Sequence, residues 1–543
     1  MTRHHDTDDS ARVSTNSHEL TAATATRRRP RWQAVVVRLT LAIIGGALLY
    51  LSHAPRDLWW LAPLAFTCLG LLLHRRGSWA GGGYGIVFGV TFYLLHLLWI
   101  QDFLGRSFGP SPWLGLSAVL AVYIGIATGL MTFVTRLPAA PVWMAAVFLL
   151  QEFARAWWPA GGFPWGKIAF SQPGGPFGSL ASLGGAPLVG LLVLITGFGL
   201  AQLIIRGWQR NWRPHRAWAA PVASTLIPVM AGLAVWPTID TAPQAGTRTV
   251  GVVQGNAPNI GLDLLNARGT LRQNHLAQSR KLLEAVRSGQ VPQPDLVVWP
   301  ETATALHTPD PQLRELTRAF DAPMLIGARA ELPNGTPQNL VVQSEPGEGI
   351  VDRYAKQQLV PFSEYIPLRP IAGWFSPFVA TTVDMKPGNR PGVFDVAGTT
   401  VGAAICYEVA YDYVAREATN SGAQLLVVPT NNAWFGRSEM SYQQLAMARL
   451  RAIEHSRAVV VAATSGVSAV VRPDGSVVES TELFTADTLV HSVPLRTTQT
   501  PADRLGASVE YTLIGIALLT LATGMYRQRR KYGGPTDETE GTG

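Results

Sequence analysis

Of 543 residues, 47% are hydrophobic and only 15% charged, where an average soluble domain carries about 25% charge, so an ordinary soluble enzyme is excluded. Lys and Arg outnumber Asp and Glu 44 to 36, yet residues 248–495 hold 20 basic against 23 acidic side chains, so the positive excess sits elsewhere, in short clusters beside apolar runs. That is the positive-inside pattern of membrane spans, and it excludes nucleic acid as a partner, which requires a basic face on a folded domain.

In chain order, residues 1–32 are polar and end on Arg27-Arg28-Arg29-Pro30-Arg31. They lack the short apolar run and small-residue cleavage site of a secretion signal and are expected to form a disordered basic cytoplasmic tail. A membrane span needs about 20 apolar residues. Such runs at 33–52, 58–74, 80–100, 113–135, 139–157, 179–206 and 217–237 predict a seven-span transmembrane bundle over 33–240. An eighth run, 508–526, predicts a C-terminal transmembrane helix followed by a cytoplasmic tail over 527–543. With Arg27–Arg31 inside, His74-Arg75-Arg76, Arg136, the loop bearing Arg206, Arg210, Arg213 and Arg216, and the Arg527–Lys531 cluster all fall inside as well. Both termini are then cytoplasmic, and residues 248–495 lie on the extracytoplasmic face of a multi-pass plasma-membrane protein. Gly81, Gly85 and Gly89 recur every four residues, as do Gly125 and Gly129, a spacing that lets helices approach closely in lipid. Glu152 and Arg155 stand one turn apart and are expected to form an internal ion pair.

Residues 248–495 have a different texture. Short β-branched runs (Thr249–Gln254, Leu296–Trp299, Met324–Gly327, Val401–Cys406, Leu425–Pro429, Val459–Ala463) alternate with turn residues and with helical patterns near 266–288 and 438–457. This alternation predicts an α/β sandwich with largely buried strands, and about 250 residues suffice for a full core. The two cysteines, Cys68 in an apolar run and Cys406 far along in this segment, exclude a disulfide framework.

Three polar residues stand where apolar runs stop: Glu301 after Leu296–Pro300, Lys356 in Arg353-Tyr354-Ala355-Lys356, and Cys406 after Gly402–Ile405. Catalytic groups in α/β folds gather at the carboxyl ends of strands, so the three can share one rim. A thiol nucleophile, a carboxylate to take its proton and a lysine to stabilise thiolate and oxyanion form a coherent set. A strand-to-helix turn at Cys406 would also aim the Tyr407 backbone N–H at a developing oxyanion. Taken singly, each residue has a plainer reading: a buried small hydrophobe, a capping carboxylate, a surface lysine.

The strings Val298-Trp299-Pro300-Glu301, Tyr354-Ala355-Lys356 and Ile405-Cys406-Tyr407-Glu408, in this order, resemble the nitrilase superfamily with its Glu–Lys–Cys site. More closely, the chain resembles the apolipoprotein N-acyltransferases, in which a nitrilase-like domain is embedded in a membrane bundle. Val360-Pro361-Phe362-Ser363-Glu364-Tyr365-Ile366-Pro367, Asn431-Asn432-Ala433-Trp434-Phe435-Gly436 and Met447-Ala448-Arg449-Leu450-Arg451-Ala452 extend the likeness. So do Val253-Gln254-Gly255-Asn256 and, in the membrane region, Gly162-Phe163-Pro164-Trp165 followed by Ser171-Gln172. The chain departs from the family pattern in three places: no Trp within Asn259–Leu264, Asn432 where Asp is frequent, and Thr464-Ser465-Gly466 where Asn-Asn-Gly is common.

The resemblance implies an α-β-β-α sandwich on a bundle of about eight spans. It further implies transfer of an acyl chain from a phospholipid donor to the α-amine of a diacylglyceryl-modified lipoprotein through a Cys406 thioester. Glu301 is the implied base and Lys356 the oxyanion partner; Glu364, Tyr407, Glu408 and Trp434 are implied supports. Neither metal nor cofactor is implied, and a monomer suffices. The apolar loop Ile371–Val379, with Trp374, Phe375 and Phe378, is expected together with Trp434-Phe435 either to cover an acyl channel or to pack on the bundle. A membrane-tethered amidase or nitrilase acting on an extracytoplasmic carbon–nitrogen substrate would use the same three residues and is the alternative. A non-catalytic scaffold or transporter ranks third, because the intact triad and the shortage of charge within the spans oppose it.

Overall fold

The computed structural model of the protein describes residues 31–209, 216–257, 268–306, 309–373, 379 and 382–532. Every apolar run of the membrane region is helical: α1 (Arg31–Leu51), α2 (Leu61–Leu73), α3 (Ser78–His96) with α4 (Trp99–Phe108), α5 (Ser111–Met131), α6 (Ala140–Trp157), α7 (Ala181–Trp208) and α8 (Arg216–Val235). Among the described residues, five helical stretches are long and apolar enough to cross a membrane, or six if the α3–α4 pair counts as one; α2 is a shorter apolar helix of 13 residues.

The expected span over 80–100 is not one straight helix, since α3 and α4 meet at 62°. The His96 carbonyl accepts a 3.1 Å hydrogen bond from the Gln443 side chain, while the Ile100 N–H turns to Leu97. A tertiary donor thus replaces the next rung of the helix, one of the recognised causes of a sharp bend. Helix α7 breaks at Gly184 and Gly185, the latter at φ +67°, just ahead of Pro187. Helix α1 already begins at Arg31, so the expected tail over 1–32 is two residues too long, and residues 1–30 lie outside the described residues. The glycine repeat does what its spacing predicts: a Cβ on Gly89 would come within 2.9 Å of the Ala121 backbone on α5.

Among the described residues of the second region, β1 (Thr247–Gln254), β2 (Leu296–Ala305), β3 (Met324–Glu331), β4 (Pro337–Glu345), β5 (Gly349–Ala355) and β12 (Asp487–Pro494) form one sheet in the order β12-β1-β2-β3-β4-β5. A second sheet runs β11-β10-β9-β8-β7-β6, from β6 (Val393–Val396), β7 (Thr399–Ala403), β8 (Leu425–Thr430), β9 (Val459–Ala463), β10 (Ala469–Val471) and β11 (Val477–Ser480). The central strands β1–β3 and β7–β9 are parallel, and their outer neighbours antiparallel. Side chains alternate between faces along a strand. In β2, Leu296 and Val298 therefore enter the core between the sheets, while Val297 and Trp299 pack beneath α9 (Arg268–Arg287) and α10 (Pro311–Phe320).

After the one-turn α11 (Arg369–Ala372), α12 (Asp412–Asn420) and α13 (Met440–His455) cover the other sheet, and α14 (Pro501–Leu505) leads into α15 (Ser508–Tyr532). The side chains beneath α12 and α13, among them Val414, Met447 and Ile453, belong to the same apolar core as Phe66, Phe148 and Phe198 of the bundle. The layers thus run helices, sheet, sheet, helices, bundle. Two expected boundaries change: β2 continues past Trp299 to Ala305 across an irregularity in its register, and β7 stops at Ala403 rather than Cys406. Residues 527–532 of the expected C-terminal tail are still helical, and residues 533–543 lie outside the described residues.

Candidate active site

The three polar residues that end apolar runs meet at one rim between the sheets. Glu301 sits where β2 is irregular, beside Thr302 at φ +49°. Lys356 directly follows β5, and its backbone N–H donates to the Asn339 carbonyl at 2.9 Å. Cys406 opens the helical turn Cys406–Ala410 at φ +53°. A non-glycine residue in that region is strained and persists only where its surroundings over-determine it.

Glu408 supplies much of that constraint. Its carboxylate accepts from the Ile405 N–H (2.7 Å), the Gln357 and Gln358 N–H groups (2.6 and 3.0 Å) and the Tyr354 hydroxyl (2.9 Å). One buried side chain therefore ties the chain after Lys356 to the chain before Cys406. Burial raises its pKa to about 7, against the opposing pull of these backbone donors.

The Lys356 Nζ lies 3.0 Å from Glu301 Oε1 and 3.1 Å from Glu364 Oε2, all three residues being buried. Asn339 Nδ2 donates to both carboxylates at 2.7 Å, and the Asn431 N–H donates to the second Glu301 oxygen at 2.9 Å. Burial by itself would lower the Lys356 pKa, but Glu301 and Glu364 hold it above the usual lysine value. Burial and then the charge of Glu301 push the Cys406 thiol up to about 12, with Lys356 pulling the other way. Thr430, at the end of β8, also favours the thiolate. A thiol protonated at neutral pH would need a base in order to attack, and Glu301 is a carboxylate close enough for its charge to act on the thiol.

Tyr407 points away from this cluster into the membrane region. Its ring stacks on Phe163 and Trp165, with centroids 6.2 and 6.3 Å away, and its hydroxyl donates to the Gly162 carbonyl at 3.2 Å. Tyr411 and Tyr365 donate to the carbonyls of Gly161 and Ala160 at 3.2 and 2.6 Å. The Gly-Phe-Pro-Trp string is thus the seat on which the Cys406 turn rests. Arg155 holds that seat through the carbonyls of Phe163 and Trp165, at 2.8 and 2.7 Å, and its expected partner Glu152 stands 3.8 Å away.

Trp434 and Phe435 pack against α4: Trp434 on Phe103 at 6.1 Å, and Phe435 on Trp99 and Phe103 at 5.0 and 5.3 Å. Trp374, Phe375 and Phe378 of the expected cover lie outside the described residues, as do Asn259–Leu264. Asn432 donates to Gln444 at 2.8 Å, and Thr464 donates to Asn431 at 2.9 Å, so two departures from the family pattern still make hydrogen bonds beside the site.

Sequence reasoning missed Asn339, Thr430 and Asn431 as parts of the cluster. Asn339 lies inside a strand whose buried Asn, Gln and Ser obscure its pattern, whereas Asn431 and Thr430 sit at the carboxyl end of β8, where a search of strand ends would have found them. Among the described residues, no group of three or more His, Cys, Asp or Glu side chains is placed to hold a metal ion.

A family model of the apolipoprotein N-acyltransferase N-terminal domain matches residues 45–199, and one of carbon-nitrogen hydrolases matches residues 249–502. Among solved structures, a Saccharomyces cerevisiae member of the nitrilase superfamily aligns with 55% of this chain and 97% of its own at 15% identity, with a TM-score of 0.34. An apolipoprotein N-acyltransferase of Mycolicibacterium smegmatis is 36% identical over 89% of this chain and 85% of its own length. One of Azotobacter vinelandii is 32% identical over 94% of this chain and 98% of its own. With both of its parts matched and relatives of this identity aligned along nearly the whole length, the chain belongs to the apolipoprotein N-acyltransferase family.

Proposed function

We propose that this protein transfers an acyl chain from a phospholipid to the α-amino group of a diacylglyceryl-modified cysteine at the N-terminus of a lipoprotein, through a thioester on Cys406. The observation that carries the reading is the seat of the nucleophile turn. Tyr407, next to Cys406, is stacked on Phe163 and Trp165 of the membrane region, so the thiol stands beside the bundle. Substrates with acyl chains leave a bilayer only at about 0.8 kcal/mol per CH₂, and a site that acts on them has to open at membrane level. A soluble carbon–nitrogen substrate would need no such seat.

In the first step Glu301 takes the Cys406 proton as sulfur attacks the ester carbonyl. Lys356 and the Tyr407 backbone N–H stabilise the oxyanion, the C–O bond breaks, and Glu301 returns the proton to the departing lysophospholipid. In the second step the acceptor amine attacks the thioester carbonyl. Free α-amines have pKa values near 8, so a large fraction is protonated at neutral pH and a base is needed; Glu301 fills that role too. Sulfur leaves as thiol, and an amide replaces a thioester without ATP.

Charge placement supports eight spans with both termini cytoplasmic, as do helices at all eight apolar runs. In that topology the bundle over 33–240 and the helix over 508–526 hold the catalytic domain, 248–495, on the extracytoplasmic face. The test is the intact mass of the purified protein after incubation with phospholipid alone, beside Cys406→Ala. An added acyl mass that hydroxylamine removes, and that the variant lacks, is expected. An adduct retained by the variant moves the nucleophile elsewhere, and no adduct on a folded wild type favours the amidase reading.

A further inference from the structure

Lys167 follows the Gly-Phe-Pro-Trp string in the loop after α6, and no motif in the sequence singles it out. It is buried, and its Nζ lies 2.7 Å from Asp412 Oδ2. Asp412 opens α12 immediately after Tyr411 and the turn that carries Cys406. Its other oxygen is held at 2.5 Å by Arg451 of α13. The same guanidinium donates to the Val409 carbonyl, inside the turn, at 3.0 Å and pairs with Glu454. Asp412 is therefore gripped from two sides, by the catalytic region through Arg451 and by the membrane region through Lys167. Burial opposes its charge, yet the two cations hold its carboxyl well below the usual carboxylate range.

The lysine stands on a fixed base. The Ile168 N–H donates to Glu152 of α6 at 2.9 Å, and the buried His53 ring packs against the Lys167 carbonyl, its Nε2 3.4 Å away. The aromatic seat alone leaves one motion open. Phe163 and Trp165 lie at 30° and 11° to the Tyr407 ring, and the Tyr407 and Tyr411 hydroxyls reach the Gly162 and Gly161 carbonyls at 3.2 Å; these neutral contacts, each hydrogen bond of only modest net strength, oppose sliding only weakly. The ion pair resists slip, because displacement strips the Lys167 ammonium of its partner where little water can replace it, while Asp412 stays with Arg451.

We propose that Lys167 is a positioning residue: through Asp412 it sets the lateral register of the nucleophile turn on the membrane region, and so the approach of Cys406 to a lipid ester held there. The inference rests on the acyl-transfer reading above. A register error of about 1 Å is enough to cost up to about a hundredfold in rate without altering the chemistry of the group displaced.

Two rates on full-length protein in detergent separate register from chemistry: acyl-adduct formation from phospholipid, and alkylation of Cys406 by iodoacetamide, which needs no lipid alignment. For Lys167→Met, acylation is expected to fall about tenfold or more while alkylation stays within about twofold of wild type. Lys167→Arg is expected to restore most of the acylation, and adding Asp412→Asn to Lys167→Met to cost little further. Should Lys167→Met not purify as a folded protein, Asp412→Asn, which keeps an acceptor oxygen and removes the charge, is put through the same two rates. Acylation at the wild-type rate, or acylation and alkylation falling in parallel, would overturn the positioning role. A wild type that forms no adduct would instead overturn the acyl-transfer reading itself.

Discussion

Lys356→Met probes the charge balance at the centre of the site. The two side chains have similar length and volume, so the change removes an ammonium with little loss of packing. Lys356 Nζ contacts Glu301 at 3.0 Å and Glu364 at 3.1 Å. Both carboxylates present an oxygen 2.7 Å from the same Asn339 nitrogen, so these oxygens lie within about 5 Å of each other and, without the cation, repel by about 3 kcal/mol at an effective dielectric of about 20. The repulsion drives the two carboxylates apart and moves Glu301 from its place beside the thiol. The oxyanion loses its cation at the same time. Removing a positioned base costs about 10²–10⁴ in rate and removing an oxyanion donor about 10²–10³, and groups acting as one unit do not multiply, so acyl-enzyme formation is expected to fall about 10³-fold or more. The assay is a time course of intact mass after mixing the variant with phospholipid, with a thermal melt to establish that it is folded. A folded variant within about tenfold of wild type would refute the assignment of Lys356 as the balancing charge and oxyanion partner.

Glu301→Gln is expected to separate activity from thiol ionisation. Acylation falls about a hundredfold or more for want of a base, while loss of the carboxylate that, after burial, raises the Cys406 thiol to about 12 moves the iodoacetamide pH–rate profile to lower pH. An unmoved profile in a folded variant would place Glu301 out of reach of the thiol. Glu408 makes stability depend on pH with a definite sign. Its folded pKa of about 7 exceeds the ordinary 4.5, so the folded protein keeps a proton the unfolded chain has released. That stabilisation is complete below about 4.5 and disappears as pH rises through about 7. The melting temperature in detergent should fall across that window and then level off, and Glu408→Gln should flatten the fall; a wild-type curve that rises with pH there would reject the account.

Much of this protein is legible along the chain because the signals are local. A run of about 20 apolar residues is helical in a bilayer whatever surrounds it, since its backbone has no other partner there. Short continuous apolar runs rich in β-branched residues, such as Leu296–Val298 and Val459–Val461, read as strands buried on both faces, and they are. Glu301 and Cys406 follow such runs, but Lys356 follows Asp352-Arg353-Tyr354-Ala355, and the three stand out as a set only through their resemblance to a known family. Other strands carry no comparable signal. In β4 the buried Asn339, Gln343 and Ser344 break the apolar pattern, and β11 is exposed along its whole length. They become strands because a neighbour offers a ladder of hydrogen bonds, which no window of sequence contains.

The same distinction separates the site's chemistry from its geometry. Residue type and order along the chain determine that a thiol, a carboxylate and an ammonium are available on a membrane-bound α/β domain. Only the tertiary structure decides that Asn339 bridges two carboxylates, that Gln443 reaches the helix bend at His96 from 347 residues away, and that Tyr407 and Asp412, on either side of the turn begun at Cys406, contact Phe163, Trp165 and Lys167. These are contacts between segments far apart in sequence. Their energies depend on distance and burial, quantities that exist only once the chain has folded.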